Sequence, residues 1–213
     1  MSDKKQLLLR RIKKLFKQNG ISWREVKNSA KEIVVFGSTT VGLNRANSDL
    51  DLLLVGEGTR FKNRALDVVW KTERDIVRRR WLESELAGHI AKYGIWLFGK
   101  GDWAQHAHVG NRAVRYKRRL IVARSRALEK SWDTLTPAYR IKHVVKLRRD
   151  LQRLKLLLEE NAVPATPILD REWRKVRNHK QVLAAIIWKC RPFKLLSSRQ
   201  LKLFSGLLNE IAF

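Results

Sequence analysis

Cysteine is all but missing from this sequence of 213 residues, where Cys190 stands alone. One thiol closes no internal disulfide and builds no cysteine-cluster zinc site, a usage that fits a reducing, cytoplasmic setting. Long apolar runs are missing as well. No stretch of 18 apolar residues occurs, so no membrane-spanning helix is expected. The three leucines Leu7-Leu8-Leu9 are too few for the apolar segment of a signal peptide, so export is not expected either. Acidic side chains are scarce, 20 against 46 lysines and arginines, leaving a formal charge of +26. A field of that sign repels cationic small molecules such as aminoglycosides and attracts polyanions.

The chain nevertheless holds 44% hydrophobic residues, enough for a real interior, so it is not a disordered basic tail. The charge is spread along its length: residues 1–100 hold 21 basic and 11 acidic side chains, and residues 101–213 hold 25 and 9. Nucleic acid is the partner this footprint favours. A membrane surface is the lesser reading, because no lipidation signal or exposed aromatic face accompanies the charge.

Leu7, Leu8, Ile12, Leu15 and Phe16 recur at helical spacing, and Gly20 ends a first amphipathic helix over residues 4–18. Residues 32–36, 50–55, 65–70 and 95–98 are short β-prone runs closed by glycine or polar residues. Thr72, followed by Glu73 and Asp75, starts a helix expected to reach Tyr93. Residues 102–111 are polar and loop-like. Beyond them four helices are expected, over residues 112–130, 137–161, 170–189 and 197–211, with Val163–Pro167 as a linker. The expected division is an α/β domain over residues 1–105 and a strongly basic helical domain over residues 112–213.

The chemistry is concentrated in residues 34–55. An apolar strand delivers Gly37-Ser38; ten residues later Asp49-Leu50-Asp51 heads a second apolar strand. Gly37 lets a ligand approach the backbone closely, and Ser38 with the following turn offers a hydroxyl and N–H groups to a phosphate. On a strand, Asp49 and Asp51 project from one face. Two carboxylates held that close repel unless a cation lies between them, and Mg²⁺ is the natural occupant. Asp67, in the run Leu66–Trp70, supplies a third carboxylate if its strand pairs beside the second; there it would share a metal and accept a proton from an attacking hydroxyl.

This Gly-Ser, spacer, Asp-x-Asp arrangement resembles the DNA polymerase β-like nucleotidyltransferase superfamily, and most of all its minimal members, including those of toxin–antitoxin pairs. The resemblance covers residues 30–100. Gly37, Ser38, Asp49 and Asp51 match residue by residue; Asp67 matches by context, at a separation of 16 from Asp51 that is short for the superfamily. The resemblance implies an α+β fold, with a small mixed sheet flanked by helices ahead of the C-terminal helical bundle. It also implies Mg²⁺ dependence and transfer of a nucleoside monophosphate from an NTP to a hydroxyl. With the charge, the expected acceptor is nucleic acid, an RNA 3′ end rather than duplex DNA. The rivals are an enzyme that modifies a protein, as antitoxin-type members do, and a catalytically silent nucleic-acid-binding module. A toxin–antitoxin partner protein joins the expected partners.

Other signals are weaker. Arg45, between the glycine turn and the carboxylates, is a candidate triphosphate contact. Arg78, Arg79, Arg115, Lys117, Arg118, Arg119, Arg148 and Arg149 are the candidate nucleic-acid contacts, with Tyr116 among them for base stacking. His106 and His108 have no Cys or acidic neighbour in the sequence and are poor evidence for zinc. Arg174 and His179 show the Arg-x4-His spacing of HEPN ribonucleases, but a solvated basic helix accounts for it.

Overall fold

A computed structural model describes residues 3–42, 49–175, 177, 178, 181 and 197–200. Arg45, His179, Cys190 and most of the expected last two helices lie outside the described residues. The chain divides into two compact units, Met1–His108 and Val109–Phe213.

The first unit is a five-stranded mixed sheet in the order β3-β4-β2-β1-β5, with helices on both faces. Helix α1 (Asp3–Gln18) and a short α2 (Trp23–Ser29) precede β1 (Ala30–Phe36). Sequence patterning missed α2, although Ser22 caps it by accepting from the Glu25 amide at 3.3 Å. β1 pairs antiparallel with β2 (Leu50–Gly56), which in turn pairs parallel with β4 (Leu66–Lys71). β3 (Phe61–Lys62) runs back along the far edge of β4, and β5 (Ile95–Phe98) closes the other edge against β1.

Strand parity explains the two cores. Ile33, Val35, Leu52, Leu54 and Val68 face Leu8, Ile12 and Phe16 of α1 and Val26 of α2. Val34, Phe36, Leu53 and Val55 face Ile76, Trp81, Ala87, Ile90 and Trp103. Covered on both sides, β2 reads as a continuous apolar run after Asp51.

The single helix expected over residues 72–93 is three: α3 (Glu73–Ile76), α4 (Arg79–Leu82) and α5 (Glu85–Tyr93). Ile76, Trp81, Ala87 and Ile90 all reach the sheet, and their steps of five, six and three residues fit no unbroken 3.6-residue period. Thr72 and Ser84 accept from the Asp75 and Ala87 amides at 3.0 Å each, so α3 and α5 start on side-chain caps, while α4 starts at Arg78 without one. The expected loop after Gly101 contains a 3₁₀ turn over Asp102–His106 that buries Trp103. The Glu32 carboxylate accepts from the indoles of Trp96 (3.3 Å) and Trp103 (3.1 Å) and from the Gly101 amide (3.3 Å), tying β1 to β5 and this turn.

In the second unit, α6 (Asn111–Ser131), α7 (Pro137–Leu158) and α8 (Thr166–Arg174) pack around Ile121, Leu128, Leu147, Leu151, Leu154 and Trp173. α8 begins four residues before the expected start at 170, because Pro167 sits in a first helical turn, where its missing N–H costs nothing. Buried ion pairs stitch the helices: Asp150 on α7 meets Lys117 (3.3 Å) and Arg124 on α6, and Asp170 on α8 meets Arg148 (2.8 Å) and Arg149 on α7. No helix of the described residues is long and apolar enough to cross a membrane.

Candidate active site

β1 ends at Phe36, and the chain turns at Gly37 with φ +74°, a conformation open to glycine at little cost. A Cβ built on Gly37 would overlap the Asp51 carboxylate, so the absent side chain is also what lets the turn lie against β2. A 3₁₀ turn over Gly37–Thr39 follows, closed by Thr40, whose Oγ1 donates to the Gly37 carbonyl at 2.9 Å. Ser38 sits half-buried in this turn. The Gly37 N–H donates to His89 Nε2 at 3.3 Å. His89 lies on α5, is 7% exposed, and packs its ring against Phe36 and Tyr93. No motif in the sequence points to His89; only the folding of α5 onto β1 brings it to the glycine turn.

Asp51 is opposite Phe36 on one side and opposite Asp67 on the other. Both acids share strand parity with Leu53 and Val69, on the face that carries α3–α5. The short 16-residue separation of Asp51 and Asp67 has a simple cause. The return stroke from β2 to β4 is the two-residue strand β3 rather than a helix, so few residues are spent before the chain runs parallel to β2 again. Asp49 lies just ahead of β2, half-buried.

The electrostatics of this cluster are those of acids in need of a counter-charge. Burial raises the Asp51 carboxyl from 3.8 to about 7, with repulsion from Asp49 and Asp67 adding to the rise and Lys62 opposing it. Asp67, 7% exposed, is met by Lys62 from β3 at one oxygen and by Arg60 at 3.6 Å at the other. The Arg60-facing oxygen is buried and accepts no hydrogen bond. Oxygen donors, crowded negative charge and an under-satisfied buried carboxylate match the chemistry of a hard divalent cation. In this arrangement the Lys62 ammonium stands at Asp67, and among the described residues no three His, Cys, Asp or Glu side chains converge on one metal position.

The expected nucleic-acid contacts divide sharply. Arg78 and Arg79 flank the start of α4 and are exposed, with ion pairs to Asp75 (2.9 Å) and Glu83. Arg115 and Arg119 are exposed on α6, and Arg118 is half-buried. Lys117 is 4% exposed and points into the helical core at Asp150. Arg148 is 6% exposed, bonded to Asp170, with its guanidinium 5.0 Å from the Trp173 ring centroid; Arg149 is held by the same aspartate.

No curated protein matches the sequence. A solved structure described as "Crystal structure of the toxin-antitoxin with AMP-PNP" is similar over 58% of this chain and 97% of its own, at 20% identity and a TM-score of 0.27. The family model of the nucleotidyltransferase domain matches residues 9–99, a span that contains the glycine turn, β2, β4 and His89. Over residues 9–99 the chain is thus similar to the nucleotidyltransferase domain.

Proposed function

We propose that this protein is a Mg²⁺-dependent nucleotidyltransferase that moves a nucleoside monophosphate from an NTP to a hydroxyl of nucleic acid, an RNA 3′ end in particular. The observation that carries the reading is the meeting of the two motif halves: Gly37 against Asp51, and Asp51 in register with Asp67. The match of residues 9–99 to the nucleotidyltransferase domain supports the transfer chemistry, and the +26 charge supports a polyanionic acceptor.

In this reading the Gly37–Thr39 turn, with Ser38 half-buried in it, receives the triphosphate beside the Asp51 carboxylate that the bare Cα of Gly37 lets come close. Asp49, Asp51 and Asp67 would hold Mg²⁺, which when bound supplies charge neutralisation for the phosphates and alignment of the reacting phosphoryl group. Asp67 accepts the proton of the attacking hydroxyl, with Lys62 and Arg60 paired beside it. His89 holds the glycine turn in place.

Incubation with each labelled NTP, Mg²⁺ and total RNA, DNA or cell protein tests the reading, with an Asp51→Asn/Asp67→Asn control. Label in RNA that vanishes in the control supports it. Label in protein alone assigns the chain to a protein-modifying enzyme. No transfer with any divalent cation, alongside salt-sensitive RNA binding, leaves a binding module.

A further inference from the structure

Helix α6 carries its cations in two ways. Its inward side is apolar, with Ala113, Val114, Ile121 and Leu128 in the core. The two cations that reach toward α7, Lys117 and Arg124, are both neutralised by Asp150. The outward side is different. Arg112, Arg115, Tyr116, Arg119, Arg126 and Lys130 are all exposed, and their steps of three, one, three, seven and four residues place them along one face. At 1.5 Å per residue this face runs for about 27 Å. Among the described residues none of its five cations has an acidic partner within ion-pair distance. The one acid on α6, Glu129, instead accepts from the amide of Gln200 at 2.8 Å.

Such a row is unfavourable in isolation, since like charges three and four residues apart on a helix repel. Among the described residues of this unit the buried Lys117 and Arg148 are each paired with an aspartate, so the contrast within one helix marks the outer row as open to a ligand. Tyr116 adds a second feature. It is 65% exposed, a large aromatic ring left in solvent with arginines one turn before and one turn after it. A ring in that position stacks on an unpaired base while the cations follow phosphates; a duplex hides its bases from such a contact. A membrane is a poor fit, because the apolar side of α6 is spent on the helical core and the outer face offers Tyr116 as its lone large apolar group.

We infer that the outer face of α6 is the binding track for a single-stranded RNA, with Arg112, Arg115, Arg119, Arg126 and Lys130 on consecutive phosphates and Tyr116 stacked on a base. The inference rests on the RNA-acceptor reading above and gives that acceptor its place on the chain. It leaves off the track the buried Lys117 and Arg148 and the half-buried Arg149, each paired with an aspartate.

Fluorescence anisotropy of the full chain with a labelled single-stranded RNA of about 20 nucleotides, without NTP or Mg²⁺, tests the track over a range of salt. The Arg112→Gln/Arg115→Gln/Arg119→Gln variant is expected to weaken binding at least about 30-fold near 0.1 M salt. It should also flatten the slope of log K against log salt by about 2, as loss of three single-strand phosphate contacts requires. Tyr116→Ala is expected to weaken binding about 5- to 30-fold with the slope unchanged, and to leave binding of an RNA duplex as it was. Arg126→Gln/Lys130→Gln reads the far end of the track independently, so misfolding of one variant does not decide the result. Binding by the triple variant within twofold of the wild type overturns the inference, as does equal loss for duplex and single strand on Tyr116→Ala. So does RNA binding that survives these changes while binding to anionic vesicles or to polyglutamate is lost. Asp51→Asn/Asp67→Asn should bind the RNA as the wild type does. Intact binding without nucleotide transfer removes the RNA-acceptor reading and leaves the track; transfer to RNA that persists in the triple variant at unchanged KM removes the track and leaves that reading.

Discussion

Asp51 and Asp67 occupy one register of the parallel β2–β4 pair, and the carboxylate of Asp51 lies against the bare Cα of Gly37. Three separate segments thus meet at one end of the sheet, with the charge of two acids concentrated beside Gly37, which has no side chain. Burial and mutual repulsion make this corner unfavourable when every acid is ionised, and Lys62 offsets part of the cost. Lowering that cost is what the proposed Mg²⁺ would do there.

The pH dependence of stability follows from Asp51. Its folded value of about 7 lies above the ordinary 3.8, so between about pH 4 and pH 7 the folded protein holds a proton that the unfolded chain has released. Stability from this group therefore falls as pH rises through that interval and levels off above it. Asp51→Asn removes the effect and should stabilise the metal-free protein at pH 7.5 by on the order of 2 kcal/mol, discounted because Asp51 keeps some solvent contact. Urea unfolding of wild type and variant across pH 4–8, in chelator, checks it. Parallel pH profiles for the two proteins would refute the assignment. Added Mg²⁺ should close most of the gap by stabilising the wild type alone.

Gly37→Ala tests the close approach. The substitution places a Cβ on the Asp51 carboxylate and asks alanine to hold φ near +74°, a conformation that costs about 1–2 kcal/mol before any clash is counted. The expected result is loss of nucleotide transfer by at least about 100-fold with the sheet still folded, since the damage is confined to one turn. Far-UV circular dichroism and a single-turnover assay measure the two quantities. Transfer within a few-fold of wild type would show that the turn has room for a side chain.

His89→Ala removes the acceptor of the Gly37 amide and opens space between Phe36 and Tyr93. The lost hydrogen bond and packing should cost about 2–4 kcal/mol of stability. Because His89 acts on the turn and not on the carboxylates, the KM for NTP should rise more than kcat falls. His89→Gln, whose amide oxygen can accept the same N–H, should recover part of the KM. A variant that lowers kcat alone would place His89 in the chemistry instead of behind it.

The legible parts of this protein were those whose signal is local. Gly37-Ser38 and Asp49-x-Asp51 could be read because each is attached to an apolar strand, and the strand parity of Asp51 with Leu53 is fixed by the pleat. Context singles out Asp67 as a candidate, but its register opposite Asp51 depends on the two-residue β3, too short to leave a pattern. His89 and Lys62 reach the site by tertiary placement alone. The helix expected over residues 72–93 is three helices because Ile76, Trp81, Ala87 and Ile90 fit no single helical period. Lys117 shows the opposite lapse. It falls between Val114 and Ile121 on the apolar stripe of α6, so its inward direction was available from helical spacing and was obscured by the run of cations around it.

Asp150 provides the sharpest test of how the helical unit tolerates so much positive charge. Its carboxylate serves both Lys117, whose side chain is 5% exposed, and Arg124, 44% exposed, while its own side chain is 3% exposed. Asp150→Ala leaves the Lys117 ammonium buried without its counter-charge, a change that costs about 3–5 kcal/mol. The double variant Lys117→Met/Asp150→Leu removes both charges and fills the space with apolar atoms of similar size. Arg124 then extends to solvent, so the double variant should recover most of the loss and sit within about 1 kcal/mol of the wild type. The two routes separate in a thermodynamic cycle read by urea unfolding of the full chain, with the coupling between positions 117 and 150 expected to exceed about 2 kcal/mol. RNA affinity should be unchanged in the double variant, because neither residue reaches the outer face of α6. A coupling near zero would mean that Lys117 finds water despite its burial, and the division of α6 into a neutralised inner side and an open outer side would lose its basis.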